Sequence, residues 1–119
     1  MRNQLTSNFN NILSKQNDKA KILSSIILQL EKDTGLDYTA VEIPEDISNF
    51  ILILKKDISN HLKKIATQNQ TNFMNIIYRV DISQNRLEKL KMDEQYYENL
   101  AELVLDRLFQ KTITKIYYR

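Results

Sequence analysis

The chain has no cysteine, a single histidine and no tryptophan among its 119 residues. Without cysteine it has no disulfide, no thiol catalysis and no cysteine-ligated zinc or iron–sulfur cluster. A single histidine, His61, also excludes histidine-rich metal sites and the paired Glu-x-x-His motifs of di-iron helical bundles. We therefore predict that the protein uses no metal ion and no cofactor.

Glycine and proline are equally scarce, with one residue of each. Sandwiches and barrels need many tight turns, and such turns favour these two residue types. A phosphate-binding loop needs several glycines, whereas Gly35 stands alone. The composition therefore argues against an all-β fold and against a common nucleotide-binding loop, and it favours helices.

Long apolar runs are also lacking, since the longest covers only residues 50–54. A membrane helix needs ~20 apolar residues. Residues 1–8 do not contain the apolar stretch of a signal peptide. The net charge of +2 is too small to indicate nucleic acid or anionic lipid as a partner. We expect a cytoplasmic protein with no membrane partner.

Apolar residues recur every three or four positions over most of the chain, and this spacing predicts helices. Residues 1–17 are polar and rich in asparagine, and we predict an N-terminal arm or short helix there. Residues 18–119 are predicted to form a single helical domain. Its first helix is expected to be capped by Asn17 or Asp18 and to end at Gly35.

A loop over residues 36–45 separates the first helix from a second, which we predict to begin at Asp46 and to continue through Ile65. The apolar run Phe50–Leu54 falls inside this second helix. A buried strand is the alternative there, because periodicity does not distinguish the two over so short a run. A helix that is apolar on nearly all sides is usually covered by neighbours, so we expect this turn to be central in the fold.

The polar segment 67–72 interrupts the helical pattern. Thr71 is predicted to cap a short third helix beyond it. Asp81 and Gln84 then match the spacing of a capping box. In such a box the Asp81 side chain accepts a hydrogen bond from the backbone N–H of Gln84, and the Gln84 side chain reaches back to the backbone of Asp81. This spacing predicts a second short helix directly after the one that Thr71 is predicted to cap.

The segment from Glu94 to about Tyr117 is predicted to form one long C-terminal helix with apolar residues at every fourth position. Each step of four advances ~400°, so the apolar stripe winds around the helix and favours angled crossings over a coiled coil. Acidic residues come first and basic residues last, an order that opposes the helix dipole. The alternative role of the basic residues is to bind an acidic partner or phosphates: Arg107, Lys111, Lys115 and Arg119.

Together these elements predict an all-α fold, a compact irregular bundle of about five or six helices with a long C-terminal helix. The predicted core draws on the apolar face of every helix. Its members are Ile26, Ile27, Leu30, Phe50, Ile51, Leu54, Ile58, Phe73, Ile77, Leu100, Val104 and Leu108.

Two short helices joined by a tight turn over residues 72–91 resemble the helix-turn-helix of bacterial repressors. That family's turn, usually Gly-Val/Ile-Ser, corresponds here to residues 81–83, while Ile77 and Asp81 stand where the family has a small residue and glycine. The alternative is a plain pair of packed, capped helices. The resemblance implies contacts with phosphates and base edges in the DNA major groove from Ser83, Gln84, Arg86 and Lys89.

No combination of residues in the sequence forms a recognisable catalytic site, so we do not expect an enzyme. Asp57 lies one helical turn before His61, where a surface pair is a commoner role than an acid–base dyad. We expect a small non-catalytic protein that binds a protein partner or self-associates, with DNA binding through residues 72–91 as the alternative. Because tyrosine is enriched at interfaces, the surface is predicted around Tyr38, Tyr78, Tyr96, Tyr117 and Tyr118.

Overall fold

Five α-helices and no strand are found among residues 19–38 and 46–117, which the computed structural model describes. This confirms the predicted all-α bundle with a long C-terminal helix. The predicted arm at residues 1–17 lies outside the described residues, as do Asn17, Asp18 and most of the predicted loop. The helices are α1 (Lys19–Thr34), α2 (Ile47–Gln68), α3 (Gln70–Val80), α4 (Gln84–Glu88) and α5 (Tyr96–Tyr117).

The first two helices begin or end where the sequence predicted. Gly35 follows α1 with a φ of 76°, and its N–H donates to the carbonyl of Glu31 at 2.9 Å. This left-handed conformation carries little cost for glycine, which has no Cβ. Asp46 caps α2 by accepting a hydrogen bond from the N–H of Asn49 at 3.1 Å. The predicted cap at Gly35 is confirmed, and the helix predicted to begin at Asp46 does begin there, with Asp46 as its cap.

The break between α2 and α3 is a single residue, Asn69, so the predicted cap at Thr71 is wrong. The N–H of Asn69 donates to the carbonyl of Ile65 at 2.8 Å and closes α2. Its side chain accepts from the N–H of Asn72 at 3.1 Å and opens α3. Asparagine is a stronger cap than threonine. Because Asn69 performs both functions, α3 starts before Thr71 can cap it.

The turn between α3 and α4 also differs from the predicted capping box. Asp81 ends α3 in the left-handed conformation, with a φ of 66°, and does not cap α4. The cap of α4 is Ser83, whose Oγ accepts from the N–H of Arg86 at 3.3 Å. The Asp81 carboxylate instead accepts from the Arg107 guanidinium of α5 at 3.1 Å. A tertiary ion pair therefore replaces the local bond that the sequence spacing suggested.

The helices enclose one hydrophobic core. α5 packs against α1 and α2, and α3 closes the opposite side against the same two helices. All twelve residues of the predicted core are buried, which confirms that prediction. Burying a side chain of this kind stabilises the fold by ~1.5–3 kcal/mol relative to leaving it in water.

The helical turn that is covered on all sides lies in α5 and not in α2. Residues 100–105 are all buried, including the carboxylate-bearing Glu102, because α5 lies between α1 and α2 and also touches α3. In α2, by contrast, Leu52 and Ile53 are 59% and 50% exposed. The run Phe50–Leu54 is helical as predicted, but its expected central position is wrong, because α2 keeps an outer face.

Candidate interaction grooves

The predicted DNA-contacting residues lie around α4, a helix of five residues and ~7.5 Å. Ser83 caps this helix, and Gln84 Nε2 donates to Glu88 Oε1 at 3.4 Å. Arg86 donates from Nη1 to the Asp106 carboxylate of α5 at 2.9 Å, whereas Lys89 is exposed. The structure therefore places the four residues together, but it directs Arg86 toward the bundle.

A second contact attaches the α3–α4 turn to α5. Arg107 donates from Nε to the carbonyl of Asp81 at 3.0 Å and from Nη2 to the Asp81 carboxylate. Together with the pair between Arg86 and Asp106, this contact gives the turn a structural role. The DNA-binding alternative consequently rests on the sequence pattern alone.

The basic end of α5 is directed largely at other parts of the protein. Lys111 donates from Nζ to the Asp33 carboxylate and to the carbonyl of Arg79, both at 2.9 Å. With Arg107 on Asp81, it supplies cations to the last carbonyls of α3, where the helix dipole favours positive charge. Lys115 donates to Gln29, so three of the four bases predicted as partner contacts have bonds within the protein, and Arg119 lies outside the described residues.

A polar network joins α1 to the last turns of α5. Gln29 accepts from Lys115 Nζ at 2.6 Å, and its Nε2 donates to the Asp33 carboxylate at 3.1 Å. The same carboxylate accepts from Lys111, and the Arg79 Nε donates to the carbonyl of Asp33 at 3.2 Å. Gln29 and Asp33 are both buried, and this chain of bonds satisfies their polar atoms. It therefore holds α1 at a fixed distance from α5.

An open groove of about 430 Å³ lies above this network, between α1 and the C-terminal half of α5. We call it the α1/α5 groove. Leu28 stands in it with 66% of its surface exposed. Among the described residues the groove is lined by three lysines and by no carboxylate: Lys21, Ser25, Leu28, Gln29, Lys32, Thr112, Lys115 and Ile116.

A second, smaller groove of about 270 Å³ lies on the other side of α5, where α5 meets α2. We call it the α2/α5 groove. It also combines an exposed leucine, Leu52, with lysines, but Glu98 lines it as well. Beneath it Lys55 Nζ lies 3.8 Å from the buried carboxylate of Glu102. The α2/α5 groove therefore contains its own negative charges. Its lining residues are Leu52, Lys55, Lys56, Ser59, Asn60 and Glu98.

The only histidine has a structural contact. His61 Nε2 lies 2.7 Å from the carbonyl of Thr34, at the end of α1. Asp57 accepts a hydrogen bond from the hydroxyl of Tyr38. Burial, together with that hydrogen bond and the charge of Asp57, raises the pKa of Tyr38 above its ordinary value. These bonds tie the chain after α1 to α2, which gives both members of the predicted pair a partner elsewhere.

The predicted tyrosine surface is not gathered in one place by the described side chains. Tyr38 is buried, whereas Tyr78 is 86% exposed on α3. Tyr96 is half-buried and packs edge-to-face on Tyr97, with ring centroids 5.1 Å apart. The side chain of Tyr117 and the whole of Tyr118 lie outside the described residues. The tyrosines therefore do not mark the candidate site.

Sequence reasoning missed the stripe of α1 that lines the groove. Lys21, Ser25, Leu28 and Lys32 follow spacings of four, three and four, which place them along one side of a helix. That spacing was visible, but it resembles any solvated helix face until α5 is positioned beside it.

Neither a possible metal site nor a membrane-spanning helix is found in the described part of the chain. No group of three or more potential metal-ligating residues converges within residues 19–38 and 46–117. No helix over those residues is long and apolar enough to cross a bilayer. Comparisons with protein-family models, with curated proteins and with solved structures found no match to this chain.

Proposed function

We propose that this protein is a non-catalytic interaction module that binds a protein partner through the α1/α5 groove. The observation that carries the proposal is Leu28, a large apolar side chain that is 66% exposed beside an open recess. Isolated exposed leucines are common on protein surfaces. A leucine next to a groove, with a second apolar side chain at Ile116, offers a partner an anchoring point.

The apolar part of the groove accounts for affinity better than its charges do. Burying a whole leucine side chain contributes ~1.5–3 kcal/mol, so the exposed two thirds of Leu28 represent roughly 1–2 kcal/mol. An exposed ion pair contributes only ~0.2–1 kcal/mol. The methylene chains of Lys21 and Lys32 add apolar contact area while their ammonium groups stay in water.

The groove is formed before any partner binds. The bonds from Lys115 to Gln29 and from Lys111 to Asp33 fix α1 against α5. A preformed surface loses less conformational entropy on binding than one that must be ordered. Because α1 and α5 are held in place, this protein offers its partner a surface that needs little reordering on binding.

Photo-crosslinking in the source cell tests the proposal. A photoreactive amino acid replaces Leu28 in one variant and Leu52, the matched leucine of the α2/α5 groove, in another. We expect a discrete protein adduct at position 28 and none at position 52. Equal adducts at both positions, or none at either, would contradict the proposal. Far-UV circular dichroism of both purified variants establishes that they are folded.

A further inference from the structure

We infer that the occupant of the α1/α5 groove is an acidic, amphipathic helical segment of another protein. This inference rests on the proposed function and names the chemistry of the partner. Its basis is a juxtaposition: Leu28 lies between Lys21 and Lys32 on α1 and faces Lys115 on α5, and none of the described residues that line the groove carries a carboxylate.

Two of the three lysines that line the groove, Lys21 and Lys32, have no counter-charge in an ion pair among the described residues. Over residues 19–38 and 46–117, neither Lys21 nor Lys32 takes part in an ion pair. The nearby carboxylate of Asp33 is buried and bonded to Lys111. That of Glu31 accepts from the N–H of Tyr38 at 3.0 Å. An acidic segment would therefore supply counter-charges that the groove itself does not contain.

The dimensions of the groove fit a helix. The stripe from Lys21 to Lys32 spans eleven residue steps, which is ~16 Å or about three helical turns. A helix lying along it would place apolar residues on Leu28 and Ile116 at spacings of three and four. Its acidic flanks would meet the ammonium groups on either side. The apolar contacts then provide affinity, and the charges select the partner and speed its association.

A second copy of this chain fits the groove less well. Two copies related by a twofold axis would bring the same surface to the interface, so lysines would face lysines. Like charges placed opposite each other oppose association. Charge complementarity therefore favours a different, acidic protein over self-association at this site.

Peptide binding to the full chain tests the inference directly. Three labelled helical peptides, each about four turns long, carry leucines at spacings of three and four. Their flanking residues are glutamate in the first, glutamine in the second and lysine in the third. Fluorescence anisotropy measures each dissociation constant. We expect the glutamate peptide to bind about tenfold more tightly than the glutamine peptide, and the lysine peptide to bind most weakly.

Two double variants locate that binding. Lys21→Glu with Lys32→Glu is expected to weaken binding of the glutamate peptide about tenfold or more, and to remove most of its salt dependence between about 50 and 500 mM. Leu52→Ala with Lys56→Glu removes the exposed leucine and reverses one lysine of the α2/α5 groove, and it is expected to leave binding unchanged. Circular dichroism and the unfolding midpoint of each variant are measured first, and Lys21→Gln with Lys32→Gln replaces the first variant if it does not fold.

Each other outcome overturns the inference in a recognisable way. If glutamate and glutamine peptides bind equally and Leu28→Ala weakens both, the groove binds partners but does not select acidic ones. If no peptide binds, the acidic helix is wrong, while crosslinking at position 28 still decides the proposed function. If phosphatidylserine vesicles or duplex DNA bind more tightly than the glutamate peptide, and the lysine variant loses that binding, the ligand is not a protein.

Discussion

The grooves on the two sides of α5 both contain an exposed leucine beside lysines, but they differ in negative charge. Against α1, Leu28 lies among Lys21, Lys32 and Lys115, and the part of the chain that the structure describes contributes no carboxylate to the groove. Against α2, Leu52 lies beside Lys55 and Lys56, and Glu98 faces the same space. The buried carboxylate of Glu102 adds a second negative charge on that side, 3.8 Å from Lys55 Nζ.

On the proposed function, we expect that an exposed leucine beside lysines does not by itself define a binding surface. Where a carboxylate lies within reach, the lysines have a counter-charge in their own protein. Beside the α1/α5 groove, the carboxylates of Asp33 and Glu31 are bonded elsewhere, and Lys21 and Lys32 take part in no ion pair within residues 19–38 and 46–117. We therefore expect the partner at the α1/α5 groove and not at the α2/α5 groove.

The largest effect is expected from the network that positions the α1/α5 groove. Asp33→Ala removes a buried carboxylate and leaves Lys111 without its 2.9 Å partner. Breaking a buried pair by removing one member destabilises a protein by about 3–5 kcal/mol. Urea denaturation measures the loss, and Lys56→Ala at the exposed rim of the other groove serves as control, with a change of less than about 0.5 kcal/mol. A loss below about 1 kcal/mol would show that the network does not hold the groove together.

The next largest effect compares the two leucines. Leu28→Ala is expected to weaken partner binding by about 5- to 30-fold, which corresponds to the ~1–2 kcal/mol of its exposed apolar surface. Leu52→Ala should leave binding unchanged within about twofold. Both residues are mostly exposed, so both variants should keep their unfolding free energy within about 0.5 kcal/mol. Titration of the partner, or of the glutamate peptide, measures the difference, and equal losses in the two variants would remove the distinction between the grooves.

The core and the glycine cap of α1 could be predicted from sequence because their causes are local. Periodicity reports which side of a helix is apolar, so residues such as Leu54, Leu100 and Leu108 were identified without knowledge of the packing partner. Gly35 was identified for a similar reason, since a left-handed residue after a helix favours glycine.

The remaining features depend on contacts between residues far apart in the chain. Asp81 matched a local cap, but its carboxylate binds Arg107, 26 positions later. The α1/α5 groove joins Gln29 to Lys115 across 86 positions. Leu28 is exposed because it lies on the side of α1 that neither α5 nor α3 covers. No pattern within a single helix contains that information.

A carboxylate introduced into the α1/α5 groove would give it the charge pattern of the α2/α5 groove. Ser25 is half-buried in the α1/α5 groove, one turn after Lys21. Ser25→Glu supplies the internal carboxylate that the α2/α5 groove already has, and we expect it to weaken binding of the glutamate peptide about fivefold. Ser25→Gln has nearly the same size without the charge and is the matched control. If both variants weaken binding equally, bulk and not charge is responsible.

The smallest effect is expected at the hydrogen bond from Tyr38 to Asp57, which ties the chain after α1 to α2. Because the pKa of Tyr38 is raised in the folded protein, folding favours its protonated form. The contribution to stability is therefore fully present below the ordinary tyrosine pKa of ~10 and is lost as pH rises above it. Tyr38→Phe is expected to cost about 1 kcal/mol at neutral pH and to reduce the loss of stability above pH ~10. Urea denaturation of both proteins at neutral and alkaline pH measures this, and parallel pH profiles would show that Tyr38 does not link α1 to α2 in this way.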